Sequence, residues 1–276
     1  MRQIKTRRRR LKGFSFNTMI PNILTLLAMC AGLTAIRYGL LGEWEKAVFA
    51  IMVAAILDGL DGRIARILKG ASKFGAELDS LSDFVSFGVS PAMLLYLWSL
   101  QGIGRFGWVL ALLFAVCCVL RLARFNTLLD DPDQPAWTAN FFTGVPAPMG
   151  AGLVLLPMML WFETGSAFFR SPATVAIVLI GVSALLVSRI HTFSFKRFKV
   201  ESRWVMPMML AVGLYAALLI NAPWATIAVT LIAYIGGIPF SVRAYRKMQS
   251  RSTDTGAAAA SAPSDGIPDS DQPKAD

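Results

Sequence analysis

From residue 20 onward the chain is a succession of long apolar blocks separated by short polar or basic breaks. The apolar positions run on continuously and do not alternate with period two, so the blocks predict helices and argue against a membrane barrel. The breaks place eight helices at 20–40, 45–68, 78–100, 107–127, 147–163, 172–190, 204–221 and 223–245. A helix needs about 20 apolar residues to cross a hydrocarbon core. The expected architecture is therefore all-α, a polytopic integral membrane protein with about eight transmembrane helices. The fifth is short, and the tight turn at Asn221-Ala222-Pro223 makes the last two an antiparallel hairpin.

Composition agrees, with 55% apolar residues and a positive mean hydropathy. The net charge of +10 would suit nucleic acid, but its placement points to a membrane surface and away from nucleic acid. Placing the N-terminus in the cytoplasm puts the basic residues of 2–12, 63–73, 121–124, 189–203 and 243–251 inside. Only Arg37, Lys46, Arg105 and Arg170 then fall outside. Such an asymmetry sets both termini on the cytoplasmic side of the cell (inner) membrane. Residues 1–19 are expected to be a basic cytoplasmic segment on anionic lipid, with no cleavable signal. Residues 20–247 form the transmembrane catalytic domain. Residues 248–276, rich in Ser, Ala, Pro and Asp, are expected to be a disordered cytoplasmic tail.

Cysteine and histidine chemistry is limited. Cys30, Cys117 and Cys118 lie within apolar runs without disulfide or metal spacing, and the single histidine, His191, excludes a multi-histidine centre. Carboxylates are the informative residues. Asp58 and Asp61 (i, i+3) share one face of the second span, and Asp79 and Asp83 (i, i+4) share one face of the third. A short break with two glycines makes these helices antiparallel neighbours, so the faces can meet across roughly 8–10 Å. Aspartates in a span cost about 2.5–3.5 kcal/mol each at mid-membrane. Four together repel unless cations lie between them, and all-oxygen ligation favours a hard ion, Mg²⁺ or Mn²⁺. Gly62 and Ala65 make a small-residue stripe beside the acids, and Arg66, a turn beyond Gly62, is placed for a phosphate. Gly75 precedes Asp79 by a turn, and Ser86 continues the polar stripe past Asp83. Metal ligands, small residues and an arginine together describe a pyrophosphate site.

Written out, the stretch is Asp58-x2-Asp61-Gly62-x2-Ala65-Arg66-x8-Gly75-x3-Asp79-x3-Asp83. At every defined position it resembles the signature of the CDP-alcohol phosphotransferase family. These are membrane enzymes, usually homodimers, that move a phosphoalcohol from a CDP-activated donor to a hydroxyl and release CMP. The resemblance implies that Asp58, Asp61, Asp79 and Asp83 bind one or two divalent ions, and that Asp83 also takes the proton of the attacking hydroxyl. It further implies that Gly62, Ala65, Arg66 and Gly75 line the CDP portion. Ile20-Pro21-Asn22, at the entry to the first span, is similar as well and adds Asn22 to that group.

The stretches Asp79–Ala92, Leu120–Asn126 and Phe142–Pro148 look like the branch of the family that uses serine. The expected donor is CDP-diacylglycerol and the expected acceptor L-serine. Arg121 and Arg124, i, i+3 at the end of the fourth span, with Asn126 beyond, suit the serine carboxylate, and Ser86 joins them on the acceptor side. They would also suit an acceptor bearing phosphate, such as glycerol 3-phosphate; inositol, its phosphate and choline are further alternatives. A cation-coupled transporter would need acids near the midplane and repeated halves, and neither is seen. The part of the chain from about Arg203 carries no recognised motif.

Overall fold

A computed structural model of the protein describes residues 16–68, 70, 72–129, 141–188, 191–193 and 202–237. In chain order the helices are α1 (Phe16–Leu40), α2 (Trp44–Ile67), α3 (Lys73–Asp83), α4 (Ser90–Trp98), α5 (Arg105–Leu129), α6 (Ala147–Thr164), the single turn α7 (Ala167–Arg170), α8 (Pro172–Val187), α9 (Val205–Asn221) and α10 (Pro223–Gly237). A π-helical turn, Phe84–Val89, joins α3 to α4 without a break. A helix stands at each of the eight predicted places. The basic segment up to residue 15, the tail at 248–276 and the last predicted helix beyond Gly237 lie outside the described residues.

The all-helical class holds among the described residues, and the expectation of about eight spans is met in part. By length and composition, four described helices can cross a membrane: Met19–Leu40, Lys73–Trp98, Arg105–Thr127 and Ala147–Thr164. The second predicted span, α2, is 24 residues long and carries Glu45 and Lys46 toward one end and Asp58, Asp61, Arg63 and Arg66 toward the other. The helices at 172–187, 205–221 and 223–237 are apolar but shorter. At 1.5 Å per residue, a helix such as α8 reaches only about 24 Å of a core about 30 Å thick. The fold also contains one pair of three-residue strands, β1 (Phe141–Thr143) antiparallel to β2 (His191–Phe193), lying between segments expected to be wholly helical.

The outward faces of the helices are apolar. Phe106, Ile177, Met206, Leu210 and Ile220 are each at least 70% exposed, an arrangement that hydrocarbon favours and water does not. Inside, α1 packs along α2 and also meets α3, the π turn and α4, while α5 packs on α8. The core is filled by residues such as Phe87, Phe114, Leu95, Leu153 and Met158.

A ladder of serines seats the α3–π–α4 rod on α1. Ser82, Ser86 and Ser90 are all buried. They donate to the main-chain oxygens of Thr25 (3.0 Å), Ala28 (3.2 Å) and Gly32 (2.8 Å) respectively. Each hydroxyl uses the second lone pair of a helical carbonyl, so no polar group is stranded in the apolar interior. Residues four apart drift by about 40° per step on an α-helix. The wider π turn, closed by Ser90 N–H to the Val85 oxygen, reduces that drift and keeps all three serines facing α1. Gly32 permits the contact, since a Cβ there would lie 2.6 Å from Ser86 Oγ and 2.7 Å from Ser86 Cα. Gly32→Ala is expected to lower stability by about 1–3 kcal/mol through overpacking. Gly181→Ala, with nothing within 4 Å of the added carbon, is the control. Thermal melts of the two variants in detergent, equal within error, would refute the close-packing role.

At the far end of the bundle Arg170 lies over the rings of Trp98 and Trp161, 5.9 and 5.4 Å from their centroids. Its Nε donates to the Trp98 oxygen at 3.4 Å. This cluster fastens the α7–α8 corner to α4 and α6, well away from the acids.

Candidate active site

The α2–α3 connection brings the acids together. The chain leaves α2 with the Gly70 N–H bonded to the Ala65 oxygen at 2.9 Å. It then enters α3 through an extended Ser72, whose side chain accepts the Gly75 N–H at 3.0 Å. This N-cap satisfies a donor the helix leaves open and sets the direction of α3. The expected direct packing of the second and third predicted helices is not what holds the acids: α2 and α3 each pack on α1, and Asp58, Asp61 and Asp79 each offer a carboxylate oxygen within 4.8 Å of the others. Asp58 is the common neighbour, interacting directly with both Asp79 and Asp83. Asp83 lies next to the three-acid group, and its Oδ1 is buried without a hydrogen-bond partner.

These residues fit a divalent cation. Three converging oxygens of hard-ligand type are present, a fourth acid beside them has an orphaned buried oxygen, and none of the four makes an ion pair within 4.0 Å with a described basic side chain. Packed carboxylates left in that state carry a large uncompensated charge.

Beside the acids is an open cleft of about 160 Å³ lined by Asn22, Thr25, Asp61, Gly62, Ala65, Gly70, Ser72, Gly75, Ala76 and Asp79, with Pro21 at its edge. It unites Asn22, Gly62, Ala65 and Gly75 from the predicted nucleotide group. Gly62 has nothing within 4 Å of an added Cβ, so packing does not explain it and open space does. At Gly75 an added Cβ would come 2.9 Å from Asn22 Oδ1, and the missing side chain lets the Asn22 amide approach the start of α3. Arg66 is exposed in the last turn of α2 and does not line the cleft.

The predicted acceptor residues separate by contact. Arg121 is half-buried on α5 with Asp83 and Tyr234 among its electrostatic neighbours, and its Nε has no hydrogen-bond partner. Arg124 spends its guanidinium on the last carbonyls of α8, donating to Val187 (3.0 Å) and Ser188 (3.1 Å). Gly144, at φ +82°, belongs to the same corner, where a Cβ would meet the Arg124 guanidinium and both the Leu186 and Ser188 oxygens at 3.2–3.3 Å. Asn126 donates to Ser80 Oγ at 2.9 Å, tying α5 to α3 beside Asp79. Ser86 faces α1 in the serine ladder. Thr25 was missed by the sequence reading. Its hydroxyl donates to Asp61 Oδ2, and the available clue was a polar residue within an apolar span, one turn beyond Pro21.

This fold and site define a membrane-embedded, acid-rich phosphotransferase, and sequence comparison agrees. The CDP-alcohol phosphatidyltransferase family model matches residues 18–187, more than half of the chain, and a second, CDP-alcohol phosphatidyltransferase 2, matches residues 203–239. The chain belongs to the CDP-alcohol phosphatidyltransferase family. The second match corrects the expectation that nothing recognisable lies beyond Arg203. There α10 supplies Tyr234, a neighbour of Arg121.

Among its relatives, the CDP-diacylglycerol–serine O-phosphatidyltransferase of Mycobacterium tuberculosis is 43% identical over 228 residues, 83% of this chain and 79% of that one. The enzyme of the same name from Bacillus subtilis is 35% identical over 67% of this chain and 98% of its own length. The archaetidylserine synthase of Methanothermobacter thermautotrophicus is 32% identical over 62% of this chain and 68% of its own.

Proposed function

We propose that the protein transfers the phosphatidyl group of CDP-diacylglycerol to the hydroxyl of L-serine, giving phosphatidylserine and CMP. The observation that carries the reading is the convergence of Asp58, Asp61 and Asp79 within 4.8 Å beside a cleft lined by Asn22, Gly62, Ala65 and Gly75. The serine moiety in the names of both the CDP-diacylglycerol–serine O-phosphatidyltransferase and the archaetidylserine synthase supports the acceptor.

In this reading Asp58, Asp61 and Asp79, together with Asp83 beside them, would hold Mg²⁺ or Mn²⁺. When bound, the ion neutralises charge on the pyrophosphate and on the leaving CMP. Asn22, Gly62, Ala65 and Gly75 seat the CDP portion, and Arg66 meets it from the exposed end of α2. Asp83 takes the serine hydroxyl proton while the serine oxygen bonds to the diacylglycerol-side phosphorus. The bond from that phosphorus to CMP breaks, and CMP leaves with the electron pair. Arg121 receives the serine carboxylate, supported by its unpartnered buried Nε and by Asp83 being among its electrostatic neighbours. Arg124 and Asn126 shape that side by holding α5 against α8 and α3, and Ser86 seats the acid-bearing rod on α1.

The setting is the cell inner membrane, with the acids at its cytoplasmic face, both termini in the cytoplasm and residues 20–247 as the catalytic unit. The positive-inside asymmetry supports this orientation. The apolar outer faces of α1, α5 and α9 offer surface to lipid and to a second copy in a homodimer. Purified protein with CDP-diacylglycerol and Mn²⁺ or Mg²⁺ is expected to release CMP when serine is added, and not with glycerol 3-phosphate, inositol or choline. CMP release with one of those three alone would overturn the serine assignment and leave the family chemistry standing.

A further inference from the structure

Thr25 contacts both acid-bearing helices at once. Its hydroxyl donates to Asp61 Oδ2 on α2, with the Pro21 oxygen as a second acceptor at 3.0 Å. Its own main-chain oxygen accepts the Ser82 hydroxyl on α3 at 3.0 Å, next in sequence to Asp83. Thr25, Asp61 and Ser82 are all at most 5% exposed, so water does not compete for these bonds. A hydroxyl has one proton, and the carboxylate is the stronger acceptor, which leaves the Pro21 oxygen the lesser share. The β-branched side chain is stiff about χ1, and α1 fixes its backbone. Holding one oxygen of Asp61 sets the plane of that carboxylate and the direction of its remaining lone pairs.

We infer that Thr25 is a positioning residue for the cation site, orienting Asp61 through its hydroxyl while its carbonyl sets the height of α3 against α2. The inference rests on the metal-binding role proposed for the acids. Groups that orient a metal ligand contribute about 10–100-fold to affinity. Thr25→Val keeps the shape and branching and removes the donor; Thr25→Ser keeps the donor and removes the methyl.

The test is Mn²⁺ binding to the full-length protein in detergent without substrates, read from the free-ion electron paramagnetic resonance signal. Thr25→Val is expected to bind Mn²⁺ about 10–100-fold more weakly, with Thr25→Ser near wild type. CMP release by Thr25→Val should recover as Mn²⁺ is raised, a rescue that a folding defect would not show. Wild-type affinity in Thr25→Val, an equal loss in Thr25→Ser, or no recovery at saturating Mn²⁺ would each overturn the inference. Asp79→Asn separates this failure from failure of the site itself: if Asp79→Asn also binds Mn²⁺ as the wild type does, the acid cluster is not the cation site.

Discussion

Asp83→Asn is expected to keep CDP-diacylglycerol binding and to lose turnover by about 10²–10⁴-fold, the range that a positioned general base contributes. The substitution is nearly isosteric, so the serine ladder on either side of position 83, at Ser82 and Ser86, stays in place. What changes is the chemistry of a buried oxygen. Asp83 Oδ1 has no hydrogen-bond partner, and Asp58 and Arg121 are among the charged groups that act on this carboxyl. An amide in that position cannot take up the proton of the attacking hydroxyl. The nucleotide cleft is lined by other residues, Asn22, Gly62, Ala65 and Gly75 among them, and so donor binding survives. Single-turnover CMP release, measured beside equilibrium binding of the donor, separates the two effects. Wild-type turnover in the variant would refute the base assignment.

Asp58→Ala should have a still broader effect, because Asp58 neighbours the other three acids and interacts directly with both Asp79 and Asp83. Removing it takes a ligand from the centre of the cluster and withdraws the group beside Asp83. Metal stabilisation of a transferring phosphate contributes several kcal/mol, and about 4 kcal/mol corresponds to roughly 10³-fold in rate. Loss of activity on that scale is expected at a fixed Mn²⁺ concentration, and chelation of the wild type should reproduce it. An independent readout is the melting temperature. Mn²⁺ should raise it in the wild type by binding the folded state and leave Asp58→Ala unmoved. A variant that keeps full activity, or one whose melt responds to Mn²⁺ as the wild type does, would show that the ion sits elsewhere.

The acids were legible in the sequence for a local reason. Spacings of three and four place Asp58 with Asp61 and Asp79 with Asp83 on single helix faces whatever surrounds them; that α1 would pack on both acid-bearing helices was not legible. The apolar blocks likewise marked every long described helix, though not the single turn α7, because burial in hydrocarbon demands continuous apolar surface. Length was less legible: α8, α9 and the described part of α10 are apolar but shorter than the roughly 20 residues of a full crossing. Only packing sorted the acceptor side. Arg121 and Arg124 share a helix face, yet Arg121 has Asp83 among its electrostatic neighbours while Arg124 caps the carbonyls that end α8. Ser86 continued the acidic stripe on paper and turned to α1 once the π turn altered the helical pitch. Thr25 acquired its role only when α1 lay against both α2 and α3. Contacts between segments far apart in sequence leave no periodic trace in any one of them, so the chain by itself determined which groups could act, and tertiary packing decided which of them meet.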